Sequence, residues 1–203
     1  MPHGLVTVVK RPTIIFSAII LLVVFLNGCT AVVGAGATVG VAAAQERGIK
    51  GRANDLNIEA LILKKYLNVG LKLTTTIGVE VYDGRVLLTG ATKNLKLSDK
   101  AVKLAWSVAS VTDVINEIQL EKGTTVTDYA HDTWITTQLK SKLAFDKNIL
   151  AINYAIETVN RTVYVIGIAQ DQSELASVVA HANAISRVIN VVNHVKLKKK
   201  AFE

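Results

Sequence analysis

The sequence predicts an α+β fold built from two tandem αββαβ modules, each a small mixed sheet with two helices on one face, behind an N-terminal signal segment. Three observations predict it. Sliding the 203-residue chain against itself by 77 positions aligns Asp55–Lys122 with Asp132–Lys199 without a gap. Within each copy the apolar spacing changes from helical to alternating and back again. An unbroken apolar run near the N-terminus stops at the single cysteine, Cys29.

The N-terminal segment comes first. Lys10 and Arg11 precede the apolar stretch from Thr13 to Leu26, whose 14 residues suit a signal-peptide core and fall short of the roughly 20 needed to cross a bilayer. It ends in Leu26-Asn27-Gly28-Cys29, a leucine, a small residue and then the cysteine, which resembles the bacterial lipobox. Asn27 departs from the Ala or Ser usual there. That resemblance implies a lipoprotein signal peptide over residues 1–28, a covalent lipid on Cys29 and a mature chain that starts with it. Thr30, in place of the Asp that retains many such proteins at the inner membrane, implies the periplasmic face of an outer membrane. The competing reading is an uncleaved helix drawn across the cysteine into the apolar residues beyond it. Gly34, Gly36 and Gly40 weigh against that helix, each at a cost of about 1 kcal/mol in helix propensity. These glycines are spaced GxGxxxG, not GxGxxG, so they make no dinucleotide loop. Residues 29–54 read as a Gly/Ala-rich tether.

The first module is expected over residues 55–122. Ile58, Ile62 and Tyr66 share a helix face within an arc of about 80°. Ile77, Val79 and Val81 alternate as a strand, Asp83-Gly84 is a type I′ turn signal, and Val86-Leu87-Leu88 runs back. A second helix buries Ala101, Leu104, Ala105 and Val108, and a last strand covers Val111 to Leu120. After a linker at 123–131 the order repeats over 132–200, with Ile135, Leu139 and Leu143, then Tyr154, Ile156 and Thr158, the turn Asn160-Arg161, Val163 to Ile166, a helix with Val178, His181, Ala182 and Ile185, and the strand Val188 to Leu197. Arg161 stands where the first copy has Gly84, so Asn160 alone is expected to favour the left-handed turn. Gly84, Gly90 and Gly167 are read as structural glycines, the last two ending the second strand where a Cβ would be disfavoured. Asp55 and Asp132 are expected to cap the first helices.

The pattern Val79-x-Val81-x-x-Gly84-x-Val86-x-Leu88-x-Gly90, the alanine-spaced second helix and the closing Val111-x-x-Val114-x-Asn116 resemble the BON domain. Asp132-Thr133-Trp134-Ile135-Thr136-Thr137 is the closest local match. Two such domains behind a lipobox resemble the dual-BON outer-membrane lipoproteins. The resemblance implies a non-enzymatic envelope-integrity protein whose second module binds anionic phospholipid.

Composition narrows the function further. Charged residues make up 19% and the formal charge is +7, which favours an anionic partner. The first module carries a net +1, and residues 132–203 a net +3 that includes the tail Lys196-Leu197-Lys198-Lys199-Lys200. That tail reads either as a solvated end or as a lipid contact. The lysines are not interleaved with stacking aromatics, which argues against nucleic acid. One cysteine excludes intramolecular disulfides and multi-thiolate zinc. His3, His131, His181 and His194 lack metal-ligand spacing, and no nucleophile elbow, phosphate loop or HExxH motif occurs. No catalytic residue, metal or cofactor is expected beyond the lipid on Cys29.

On the first helix of the second module, Trp134, Gln138, Ser141 and Phe145 fall opposite the core face set by Ile135, Leu139 and Leu143, with Lys140, Lys142 and Lys147 nearby. Aromatics at headgroup depth with lysines beside anionic lipid would bind a membrane surface. The alternative is that Trp134 fills the junction between modules. In the first copy Asn57 replaces Trp134, while Leu61, Ile62 and Leu63 widen the apolar face; that helix is expected to dock on the other module. Besides anionic phospholipid, a scaffold role toward an outer-membrane assembly protein and binding of an envelope polysaccharide stand as alternatives.

Overall fold

The structure, a computed structural model, describes residues 45–121 and 124–199. The signal peptide, Cys29 and most of the tether lie outside them. The first module comprises α1 (Gly48–Val69), α2 (Leu71–Thr76), β1 (Ile77–Tyr82), β2 (Arg85–Ala91), α3 (Leu95–Trp106) and β3 (Asp113–Gln119). The second comprises α4 (Val126–Phe145), a 3₁₀ turn (Ala151–Asn153), β4 (Tyr154–Val159), β5 (Thr162–Ala169), α5 (Gln172–Asn183) and β6 (Asn190–Leu197). In each sheet the hairpin is antiparallel and the third strand returns parallel to the second, in the orders β1-β2-β3 and β4-β5-β6. The predicted mixed sheets are present. The short α2 is an addition, made possible by Gly70 at φ 144°, where α1 ends.

Each module has its own core. Ile58, Ile62 and Tyr66 of α1 meet Val79, Val81, Val86 and Leu88 of the sheet and Ala101 and Ala105 of α3. Ile135, Leu139 and Leu143 meet Ile156, Val163 and Val165 with Val178 and Ala182. Small alanines at the helix crossing let α3 and α5 lie close on the strands.

A third core joins the modules and corrects the expectation that α1 docks on its neighbour. The sheet faces turned away from the helices pack on each other through Tyr82, Leu87, Ala91, Val159, Tyr164 and Ile166, with Ile115, Ile168 and Val192 beside them. Leu61 stays exposed and Leu63 packs into its own module. The order of layers is helix, sheet, sheet, helix. Every residue of β2 is consequently buried, as a strand covered on both faces must be. Most of this core consists of four repeat pairs, 77 positions apart: Tyr82 with Val159, Leu87 with Tyr164, Ala91 with Ile168, Ile115 with Val192. The modules therefore meet as a homodimer's subunits would, each offering the same patch.

Just ahead of α1 a strap crosses the junction. Gln45 donates to the carbonyl of Ile152 at 2.8 Å, the Glu46 amide to Asn153 at 3.0 Å, and Lys198 pairs with Glu46 at 3.1 Å. Arg47 bonds Asp55 and the Val81 carbonyl and lies 4.2 Å over the ring of Tyr82.

The two helix-capping aspartates are a second correction. α1 begins at Gly48 and α4 at Val126, about two turns before Asp55 and Asp132. Helix therefore covers 48–54 and 126–131, where a tether and a linker are expected. Thr125 caps α4 in a capping box with Asp128. The two aspartates are buried mid-helix and serve the hairpins instead. Asp55 accepts from the amides of Asp83 and Gly84, and Asp132 from those of Asn160 and Arg161, all at 2.8 Å. Both central residues of each turn are left-handed, with φ of 55° and 72° in the first and 47° and 63° in the second. Arg161 thus shares the turn that Asn160 is expected to hold alone.

Candidate functional site

α4 is held in one rotation by the Ile135, Leu139 and Leu143 face below, the Asp132 link to the hairpin, and a Thr136–Thr158 hydroxyl bond of 2.7 Å. Its outward face follows from helix geometry. At 100° per residue, Trp134, Gln138, Ser141 and Phe145 lie within about 60° of one another, opposite the core. All four are exposed, Trp134 at 46% and Phe145 at 85%. Trp134 therefore does not fill the junction between the modules.

The C-terminal end of this face opens on a depression of about 630 Å³ lined by Gln138, Ser141, Lys142, Phe145, Lys147 and His181, among others. Five of the seven predicted residues meet there. Trp134 lies farther along the helix. Lys140 projects from a different flank of α4, near Glu80 of the first module, so it does not join the cluster. One residue pair that the sequence reading missed fixes the rim: His181 bonds Asp146 at 2.8 Å, tying α5 to the end of α4. This bond and the Asn148 amide hold the Asp146 carboxyl below its usual range. His181 is half-buried. Val126 and Tyr129, exposed at 88% and 70%, extend the apolar content of α4. Their signal was the Thr125-x-x-Asp128 box, which marks a helix start upstream of Asp132.

Exposed rings with ammonium groups near them suit a membrane surface. The rings can enter the boundary between headgroups and acyl chains while Lys142 and Lys147 stay with the phosphates. Among the described residues there is no cluster of three metal-ligating groups, and no helix is long and apolar enough to cross a membrane.

Three glycines sit where a Cβ would be crowded. Gly84 takes φ 72° in the turn, with Ser110 and Thr112 3.1 Å from where its Cβ would be. Gly90 combines φ 133° with the Thr76 carbonyl oxygen in the path of any Cβ. Gly167 has ordinary φ, and the Asn153 carbonyl oxygen occupies the same place.

Residues 54–122 and 131–199 each match the BON domain. An uncharacterized protein of Anaplasma centrale is 38% identical over 125 residues, 61% of this chain and 83% of that protein. The outer membrane lipoprotein DolP of Haemophilus influenzae is 30% identical over 175 residues, 84% of this chain and 91% of its own. A 21 kDa hemolysin of Actinobacillus pleuropneumoniae is 34% identical over 128 residues, 62% of this chain and 66% of its own.

Proposed function

The chain belongs to the BON-domain family, and on that premise we propose that it is a non-enzymatic lipoprotein of the outer membrane, anchored through Cys29, whose second module binds anionic phospholipid through the outer face of α4. The observation that carries this reading is the exposure of Trp134 and Phe145 on one helix face, with Lys142 and Lys147 at its Phe145 end. The Haemophilus relative, an outer membrane lipoprotein by name, supports the address. The positive charge of the second module supports the lipid class, at about 1 kcal/mol for each lysine near an anionic surface. In this reading the protein supports envelope integrity from the periplasmic face.

Flotation of the fragment 45–203 with liposomes tests it. Binding is expected with anionic vesicles and absent with zwitterionic ones. Trp134→Glu is expected to abolish it, since a carboxylate at headgroup depth is repelled by anionic lipid. Lys142→Gln and Lys147→Gln should weaken binding in steps and flatten its salt dependence, because these contacts are screened over about 10 Å at 0.1 M salt. Normal flotation of a folded Trp134→Glu fragment would refute the lipid role of α4. For the anchor, Cys29→Ser should leave the N-terminal segment uncleaved and the chain unlipidated; a lipidated serine variant would refute it.

A second reading, a scaffold for an outer-membrane assembly component, is favoured by one observation. Ile49, Leu56 and Leu67 are about half exposed along one stripe of α1, opposite its core face. Retention of such a component by a Trp134→Glu chain that no longer floats would favour the scaffold.

A further inference from the structure

Glu80 and Glu157 are the same position of the two modules, 77 residues apart. Strand alternation turns both away from their own cores, because Val79 and Val81 on one side, and Ile156 on the other, take the helix-facing places. Sheet-on-sheet packing brings the repeat positions near its pseudo-two-fold axis against their own copies, as Glu117 meets His194 at 2.8 Å, and the carboxyls of Glu80 and Glu157 lie within hydrogen-bond reach of each other across the junction. Two carboxylates can share a hydrogen bond only when one of them carries a proton. We propose that the junction between the modules is a proton-binding site, in which one proton held between Glu80 and Glu157 closes the two sheets on each other and its loss lets them part.

The surroundings fit this assignment. Burial above all, and then the facing Glu157, push the Glu80 carboxyl up to about 7; Glu59 on α1 adds to the rise and Lys140 on α4 opposes it. In an opened junction the carboxyl returns to water and to its ordinary value of 4.5. The sign follows from linkage: closing takes up a proton between pH 4.5 and 7, so the contribution is fully present below 4.5 and lost as pH rises through 7. A second repeat pair, Glu117 with His194, also meets across the junction at 2.8 Å and is ionic when the imidazole is protonated. Arg85 holds that histidine's carbonyl at 2.9 Å. As pH rises through 7, Glu80 loses its proton and becomes a buried anion, which the apolar contact must then hold in the junction.

Amide hydrogen exchange of the full chain in detergent micelles, corrected for the intrinsic pH dependence of exchange, tests the proposal on β2 and β5, the strands buried by the junction. Their opening equilibrium is expected to rise about 30-fold between pH 5.5 and 8 in the wild type, from the two proton affinities above. Glu80→Gln, which mimics the protonated acid, should cut that slope several-fold, and so should Glu157→Gln, since either change removes the shared proton. A flat wild-type profile, or a slope that neither substitution reduces, would overturn it. Should one variant fail to fold, the other carries the comparison, since each alone removes the shared proton.

Discussion

Glu117 and His194 occupy equivalent positions of the two modules, and the carboxylate oxygen of one lies 2.8 Å from the imidazole Nε2 of the other. A bond between two copies of one repeat position places both near a pseudo-two-fold axis. Pairs on such an axis are unchanged when their residues are exchanged. Glu117→His and His194→Glu made singly bring two imidazoles or two carboxylates together and should each cost about 1–2 kcal/mol, whereas the double exchange should recover most of the loss. Urea unfolding of the four proteins checks this. A double variant as unstable as the sum of the singles would place the pair off the axis.

The buried aspartates carry the largest single-residue effects expected. Asp55→Ala and Asp132→Ala each strip two hairpin amides of their acceptor, and Asp55→Ala also removes the carboxylate that pairs with Arg47. A loss of about 2–4 kcal/mol is expected in each case. Asp132→Asn keeps one acceptor oxygen and should cost about half as much, measurable by thermal or urea denaturation. Losses near zero would mean that water serves the turns equally well.

Arg161 offers the opposite outcome. It holds φ 63° at a place where the first module uses Gly84. Arg161→Gly should relieve left-handed strain and raise stability by about 0.5–1 kcal/mol, although glycine also loosens the unfolded chain. A rise in melting temperature is the expected reading. Gly84→Arg should do the reverse, and by more, because Ser110 and Thr112 crowd the Cβ.

Gly90 and Gly167 test the close approach at the end of the second strand. Gly90→Val and Gly167→Val each force a Cβ onto a carbonyl oxygen, of Thr76 or Asn153. Both should unfold or lower the melting temperature by at least several degrees, equivalent to about 2 kcal/mol or more. Because Gly167 has ordinary φ, its loss would come from collision alone. Equal effects at the two sites would show that the collision outweighs the positive φ of Gly90.

Much of the candidate site was legible because a core face fixes its opposite. Once Ile135, Leu139 and Leu143 are taken as buried, helix geometry alone sends Trp134, Gln138, Ser141 and Phe145 outward. Lys140 escaped that logic, since its flank of α4 faces a charge on the other module. The start of α4 was missed because Asp132 resembles a cap in isolation. What distinguishes a cap from a buried turn acceptor is the hairpin 28 residues away, which no local window contains.

By itself the sequence determined the duplication, the order of elements in each module, both hairpins and the glycines that end the second strands. Those are local matters of period, turn chemistry and missing side chains. Tertiary structure alone decided that the modules pack sheet to sheet, that Asp55 and Asp132 serve turns, and that Glu80 meets Glu157 while Glu117 meets His194. The reason is physical. Alternation tells which residues share a face of a strand, but β2 is buried on both faces, and periodicity is silent on what covers the second. The choice of partner there rests on the summed burial of Tyr82, Leu87, Tyr164 and Ile166, residues brought together from both repeats by the symmetry of their packing.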